Sequence, residues 1–156
     1  MAVLTMAVGA SASAATTPAS PEEPTMTRIA RGTFTVQLAP LAFEGQAEGS
    51  KLGRMSIDKQ IAGDLVATTR GQMLSATTGE SGSAAYVAIE RVEGRLHERA
   101  GSFVLQHTGT MTRGTPSLSV HVVPDSGTGE LVGLRGRFDI VIADGEHRYV
   151  FEYSLP

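Results

Sequence analysis

A chain of 156 residues with a formal charge of −3 fits one domain, and 41% hydrophobic residues are enough to fill a single core. Its 13 Lys and Arg residues are scattered singly, so no basic stripe exists to neutralise a nucleic-acid backbone. The absence of cysteine removes disulfides, thiolate metal sites and cysteine nucleophiles together, and no apolar run reaches the roughly 20 residues that span a bilayer as a helix.

The first residues, MAVLTMAVGASASAATTPASPEEP, begin apolar, pass through Ala10-Ser-Ala-Ser-Ala-Ala15 and end in a Pro- and Glu-rich spacer. This resembles the apolar and cleavage regions of a secretory signal, but no Lys or Arg precedes Arg28. Two readings stay open: a signal peptide whose start was assigned too late, leaning towards a secreted or periplasmic protein, or an extension ahead of a start at Met26 in a cytoplasmic one. Either way residues 1–26 are expected to be a disordered or cleaved extension and residues 27–156 a single domain.

From Arg31 onward the period is two. Phe34, Val36 and Leu38 share one face of a first strand, with Thr33, Thr35 and Gln37 on the other. A second strand near 54–62 carries Met55, Ile57 and Ile61, and a third near 64–75 follows a Gly63-Asp64 turn. After a loop at Gly79–Gly82, further strands are predicted near 83–96, 101–111, 116–123, 137–143 and 147–155. About eight short strands joined by short links predict an all-β fold, and closure into an antiparallel barrel removes the exposed edges.

Two hairpins set a register. A four-residue loop at His97–Ala100 pairs Leu96 with Gly101, placing Glu90 opposite His107 and Val92 opposite Leu105. A two-residue turn at Arg113-Gly114 sets His107 against Val120 and Leu105 against Val122. Tyr86, Ala88, Glu90, Val92, Phe103, Leu105, His107, Leu118, Val120 and Val122 then share one face, which Tyr149, Phe151 and Tyr153 join with Phe34 and Val36 as the barrel interior.

The stretch HVVPDSGTGELVGLRG, His121 to Gly136, puts four glycines into ten residues. A dinucleotide fingerprint needs Gly-x-Gly-x-x-Gly between a strand and a long helix; here the spacing is wrong and no such helix follows. No Gly-Lys-Ser/Thr completes a Walker loop either. The glycines are read as a corner, with Leu131 and Leu134 plugging one barrel end and short helical character around Gly129–Leu134.

The segments Gly32-Thr-Phe-Thr-Val36, Tyr86-Val-Ala-Ile-Glu-Arg-Val-Glu-Gly94, Gly101-Ser-Phe-Val-Leu-Gln-His-Thr-Gly109 and Ser126-Gly-Thr-Gly-Glu-Leu-Val-Gly-Leu-Arg-Gly136, closed by Tyr149 to Leu155, resemble the bacterial domain of unknown function family 3224 across Thr27 to Leu155. The resemblance implies an eight-stranded antiparallel barrel of the allene oxide cyclase and dirigent type, with a largely apolar cavity and a tendency to self-associate. It implies no activity, since fold alone carries none.

Glu90 and His107 are the candidate catalytic pair, a carboxylate beside an imidazole in a dry interior; the competing role is a buried pair that fixes register. Tyr86, Phe103, Leu105, Val120, Tyr149 and Phe151 are the candidate ligand contacts. His97 and His147 fall in predicted turns, and His121 is on the face opposite His107, pairing with Gln106. No metal-ligand spacing and no cofactor motif occurs, and Ser126 lacks the nucleophile elbow. The leading expectation is a module holding a small apolar or amphipathic molecule; the alternatives are a cofactor-independent cyclase or isomerase in which Glu90 moves a proton, and a structural homo-oligomer with a filled interior. Expected partners are thus a small apolar ligand and copies of the chain itself, without nucleic acid or membrane.

Overall fold

The computed structural model describes residues 26–43, 45 and 51–156, so the expected N-terminal extension lies almost wholly outside the described residues. Eight strands run in chain order: β1 (Arg28–Leu41), β2 (Lys51–Gly63), β3 (Leu65–Thr77), β4 (Ala84–Leu96), β5 (Arg99–Thr112), β6 (Thr115–Val122), β7 (Arg135–Ala143) and β8 (Glu146–Ser154). Each pairs antiparallel with the next, and β8 pairs back onto β1 to close the barrel. Closure gives every strand two neighbours, as the short links between alternating segments predict, with β6 and β7 meeting at the single pair His121 and Arg137. Among the described residues no helix is long and apolar enough to cross a membrane.

Alternation decides what fills the barrel. Phe34, Ile57, Ile61, Ala67, Val92, Phe103, Leu105, Val120, Phe138, Tyr149 and Phe151 are buried. Four aromatic rings form the spine of this core: Phe103 stacks on Phe151 at 5.7 Å, Phe138 on Tyr149 at 4.9 Å, and Phe138 tilts against Phe151 at 5.6 Å. Offset arrangements at such separations add to the gain from burial itself.

One register differs from expectation. Leu96 pairs with Arg99 across a two-residue His97-Glu98 turn, not with Gly101, so Glu90 opposes Leu105, Val92 opposes Phe103 and His107 opposes Ala88. The tight turn needs a left-handed residue, which His97 supplies at φ 49°, and it is held by the His97 N–H donating to the Asp64 carbonyl at 2.7 Å. The slip is two residues, so every side chain keeps its face and Glu90 and His107 remain inward. The β5–β6 register, with His107 on Val120 and Leu105 on Val122, is as expected, and His121 pairs with Gln106 and is exposed. His147 is not in a turn: it lies on β8, half-buried, with its ring 5.1 Å from that of Phe34.

The glycine stretch is a corner with a structural task. β6 stops at Val122, opposite Leu105, while β5 runs on to Arg99. The orphaned N–H groups of β5 are met by side chains spaced two apart: Val104 donates to Ser126 Oγ at 3.1 Å, Ser102 to Thr128 Oγ1 at 3.1 Å and Ala100 to Glu130 Oε2 at 2.8 Å. The Ser-x-Thr-x-Glu pattern therefore stands in for a missing length of strand. Gly101 permits the approach, because a Cβ there would meet the Thr128 carbonyl oxygen at 2.1 Å. A short 3-10 turn, Gly129–Leu131, then drops Leu131 and Leu134 into the barrel end, where both are buried.

Candidate functional site

The barrel has two unlike ends. At the end formed by the β2–β3 and β4–β5 turns, Leu131 and Leu134 close the interior with Leu65 and Leu96, all buried in one apolar cluster. Tyr149 reaches this end too, accepting a hydrogen bond from the Leu65 N–H at 2.9 Å and donating towards the Ala62 carbonyl at 3.3 Å. Burial raises its phenol above the ordinary value; the Leu65 hydrogen bond opposes that and the nearby Asp64 carboxylate adds to it.

Mid-barrel, four consecutive strands each direct one polar side chain inward: Lys59 from β2, Thr69 from β3, Glu90 from β4 and His107 from β5. Glu90 is fully buried. Its Oε2 lies 2.6 Å from Lys59 Nζ and 2.9 Å from His107 Nε2, and its Oε1 accepts the Thr69 hydroxyl proton. Thr69 Oγ1 in turn accepts the Lys59 backbone N–H at 3.0 Å, and Lys59 Nζ stands 5.2 Å over the Phe34 ring. His107 Nε2 is thus close to the carboxylate without an aligned hydrogen bond. Burial alone would raise the Glu90 pKa; His107, Lys59 and Thr69 overcome it and bring the carboxyl down to about 2.

The structure thus brings Glu90 and His107 together, and adds Lys59 and Thr69, which the sequence reading passes over. Their signal is the same alternation: Lys59 sits between inward Ile57 and Ile61, and Thr69 between Ala67 and Gly71. A charge in an otherwise apolar stripe reads as an error of register unless its partner is known. Of the six candidate ligand contacts, Phe103, Leu105, Val120, Tyr149 and Phe151 belong to the packed core, with the aromatic spine and the Leu131/Leu134 plug filling the space around them. Tyr86 borders a cavity.

That cavity, about 300 Å³, lies at the other end, near the β3–β4 and β5–β6 turns. Met73, Tyr86, Met111, Pro116 and Leu118 line it, its surface is almost wholly carbon, and no lining residue carries a formal charge. The Tyr86 ring lies across Gly109, its cross-strand partner, so closely that a Cβ there would come within 2.2 Å of ring atom Cε1. Burial, with the Glu90 carboxylate second, raises the Tyr86 phenol above its ordinary value. A larger hollow, about 720 Å³, is an external groove between Phe43 and the outward side chains of Leu74, Val87 and Ile89, separate from the barrel interior. Among the described residues no three His, Asp or Glu side chains gather as a metal site.

Fold and centre together define a class: a closed eight-stranded antiparallel barrel, plugged at one end, open at the other among the described residues, and pinned at mid-height by a buried ion cluster. Residues 30–153 match the family described as protein of unknown function (DUF3224), and the chain belongs to that family. It is similar to a crystal structure of a DUF3224 protein of unknown function from Shewanella oneidensis MR-1, with 47% identity and a TM-score of 0.80 over 84% of this chain and 99% of that one. No curated protein matches it.

Proposed function

We propose that the protein binds a small, largely apolar molecule in the open end of the barrel, between Met73, Tyr86, Met111 and Leu118. The observation that carries this reading is the carbon-lined cavity of about 300 Å³ left where the core stops, a volume at the lower end of the range for small-molecule sites. Leu118, 43% exposed although it points inward, marks an apolar wall that no described residue covers. Two methionines in that wall supply adaptable surface. The kinship with allene oxide cyclase and dirigent barrels forms part of the same proposal, since an apolar hollow is what it implies.

The isomerase alternative draws less support from the geometry. A carboxylate fully buried, ion-paired to Lys59 and held near a pKa of about 2 is a weak base and holds no proton to give at neutral pH. The Glu90 cluster is better suited to fixing the positions of four strands.

The test is binding of N-phenyl-1-naphthylamine, an uncharged dye that brightens in apolar surroundings. The wild type is expected to bind it saturably, and Met73→Trp, which fills the cavity, to abolish the signal while leaving the thermal midpoint within a few degrees. No saturable brightening, or brightening indifferent to Met73→Trp, overturns the reading.

A further inference from the structure

Resting on that binding site, we infer that its ligands are uncharged molecules with one hydrogen-bond acceptor on a hydrocarbon body, the acceptor being met by the Tyr86 hydroxyl. Charge exclusion comes first. An anionic head group entering the open end would find no cation among the lining residues, and an amine would find no carboxylate. The interior ion pair does not change this: Lys59 and Glu90 are buried against each other at 2.6 Å, so neither faces a ligand unpaired. Taking an ion out of water into such a place, with no opposite charge to meet it, is strongly unfavourable.

Tyr86 supplies the polarity that remains. Its side chain is half-buried at the cavity wall, and no described residue hydrogen-bonds its hydroxyl, which leaves the donor open to a ligand or to solvent. Its raised pKa keeps it protonated at neutral pH, hence able to donate. Gly109 makes room for where it stands: the ring packs against the glycine backbone in space that a Cβ would occupy. A phenol held in an apolar wall discriminates for a carbonyl or ether oxygen, because an unmet donor there costs free energy that a bare hydrocarbon cannot recover.

Displacement of the bound dye by octan-2-one, octane and octanoate separates these contributions at constant chain length. The expected order is ketone tightest, octane weaker, and octanoate at pH 8 at least tenfold weaker than the ketone. Tyr86→Phe should cut the ketone-over-octane preference by about tenfold, a ratio taken within the one variant so that any change in overall affinity drops out. Gly109→Ala should displace the ring and reduce the same preference without removing the hydroxyl. Octanoate binding as tightly as the ketone, or an unchanged ketone preference in Tyr86→Phe, overturns the inference while leaving the cavity as a binding site. A dye that never binds overturns the underlying site and this inference with it.

Discussion

The two ends of this barrel are built from the same alternating strands and come to opposite results. At the plugged end, Leu65, Leu96, Leu131, Leu134 and Tyr149 are buried, and the loop after β6 crosses the opening with its hydroxyl and carboxylate side chains bonded to β5. At the open end, Leu38, Met111 and Leu118 point inward and are between two-fifths and one-half exposed. The strands themselves do not decide which end is filled; what crosses the end does. A barrel of this strand number has an interior that side chains can just fill, so one crossing loop is enough to turn half of it into core, while the described residues leave a hollow in the other half.

Between the two halves sits the Lys59–Glu90–His107 cluster, and removing one partner is the most damaging way to break the contrast. Lys59→Met should cost about 4 kcal/mol in chemical denaturation, because it leaves the Glu90 carboxylate buried without its cation. The double replacement Lys59→Met with Glu90→Leu should recover most of that loss, since a well-packed apolar pair often equals a buried ion pair. If the single variant is as stable as the wild type, the cluster does not hold the barrel together and its role must be sought in binding.

Acid probes the same cluster more gently. The folded chain holds Glu90 at a pKa of about 2, below the ordinary 4.5, so folding favours the ionised form. The stability this contributes is complete above about pH 4.5 and is lost as the pH falls towards 2, amounting to about 3 kcal/mol. Denaturant midpoints measured between pH 6 and pH 2 should therefore fall more steeply for the wild type than for the Lys59→Met/Glu90→Leu chain. Parallel curves for the two would show that Glu90 is not the group responsible.

How much of this contrast could be read from the residues alone differs between the halves. Strand count, closure and the inward set around Glu90 follow from a period of two, which survives an even slip in register; the β4–β5 hairpin shows this, because His97 took the left-handed turn position without changing any face. Leu131 and Leu134 were legible as a plug because two leucines spaced by three interrupt a glycine-rich corner. What could not be read was the depth of the core. Phe103, Leu105, Val120, Tyr149 and Phe151 look like cavity walls when only their face is known, and become a packed spine once β5, β6 and β8, with Phe138 of β7 and the crossing loop, bring them into contact. Lys59 was hidden for the opposite reason: lysine in a strand is ordinarily solvated, and only its 2.6 Å partner 31 residues away explains it.

The mildest test sets one leucine from each end against the other. Leu131→Ala removes a fully buried side chain from beneath a loop that is tied to β5 by hydrogen bonds and cannot freely collapse, so a loss of about 2–3 kcal/mol is expected. Leu118→Ala removes the same atoms from a wall that already faces solvent, and should change the denaturation midpoint by less than about 0.5 kcal/mol. The two substitutions are chemically identical, so the ratio of their costs reports the state of the two ends directly. Ligand behaviour should run the other way, with dye affinity lowered by Leu118→Ala and indifferent to Leu131→Ala wherever the chain is folded. Equal costs would mean that something covers Leu118 in solution, and the open end would then be an interface rather than a receptacle.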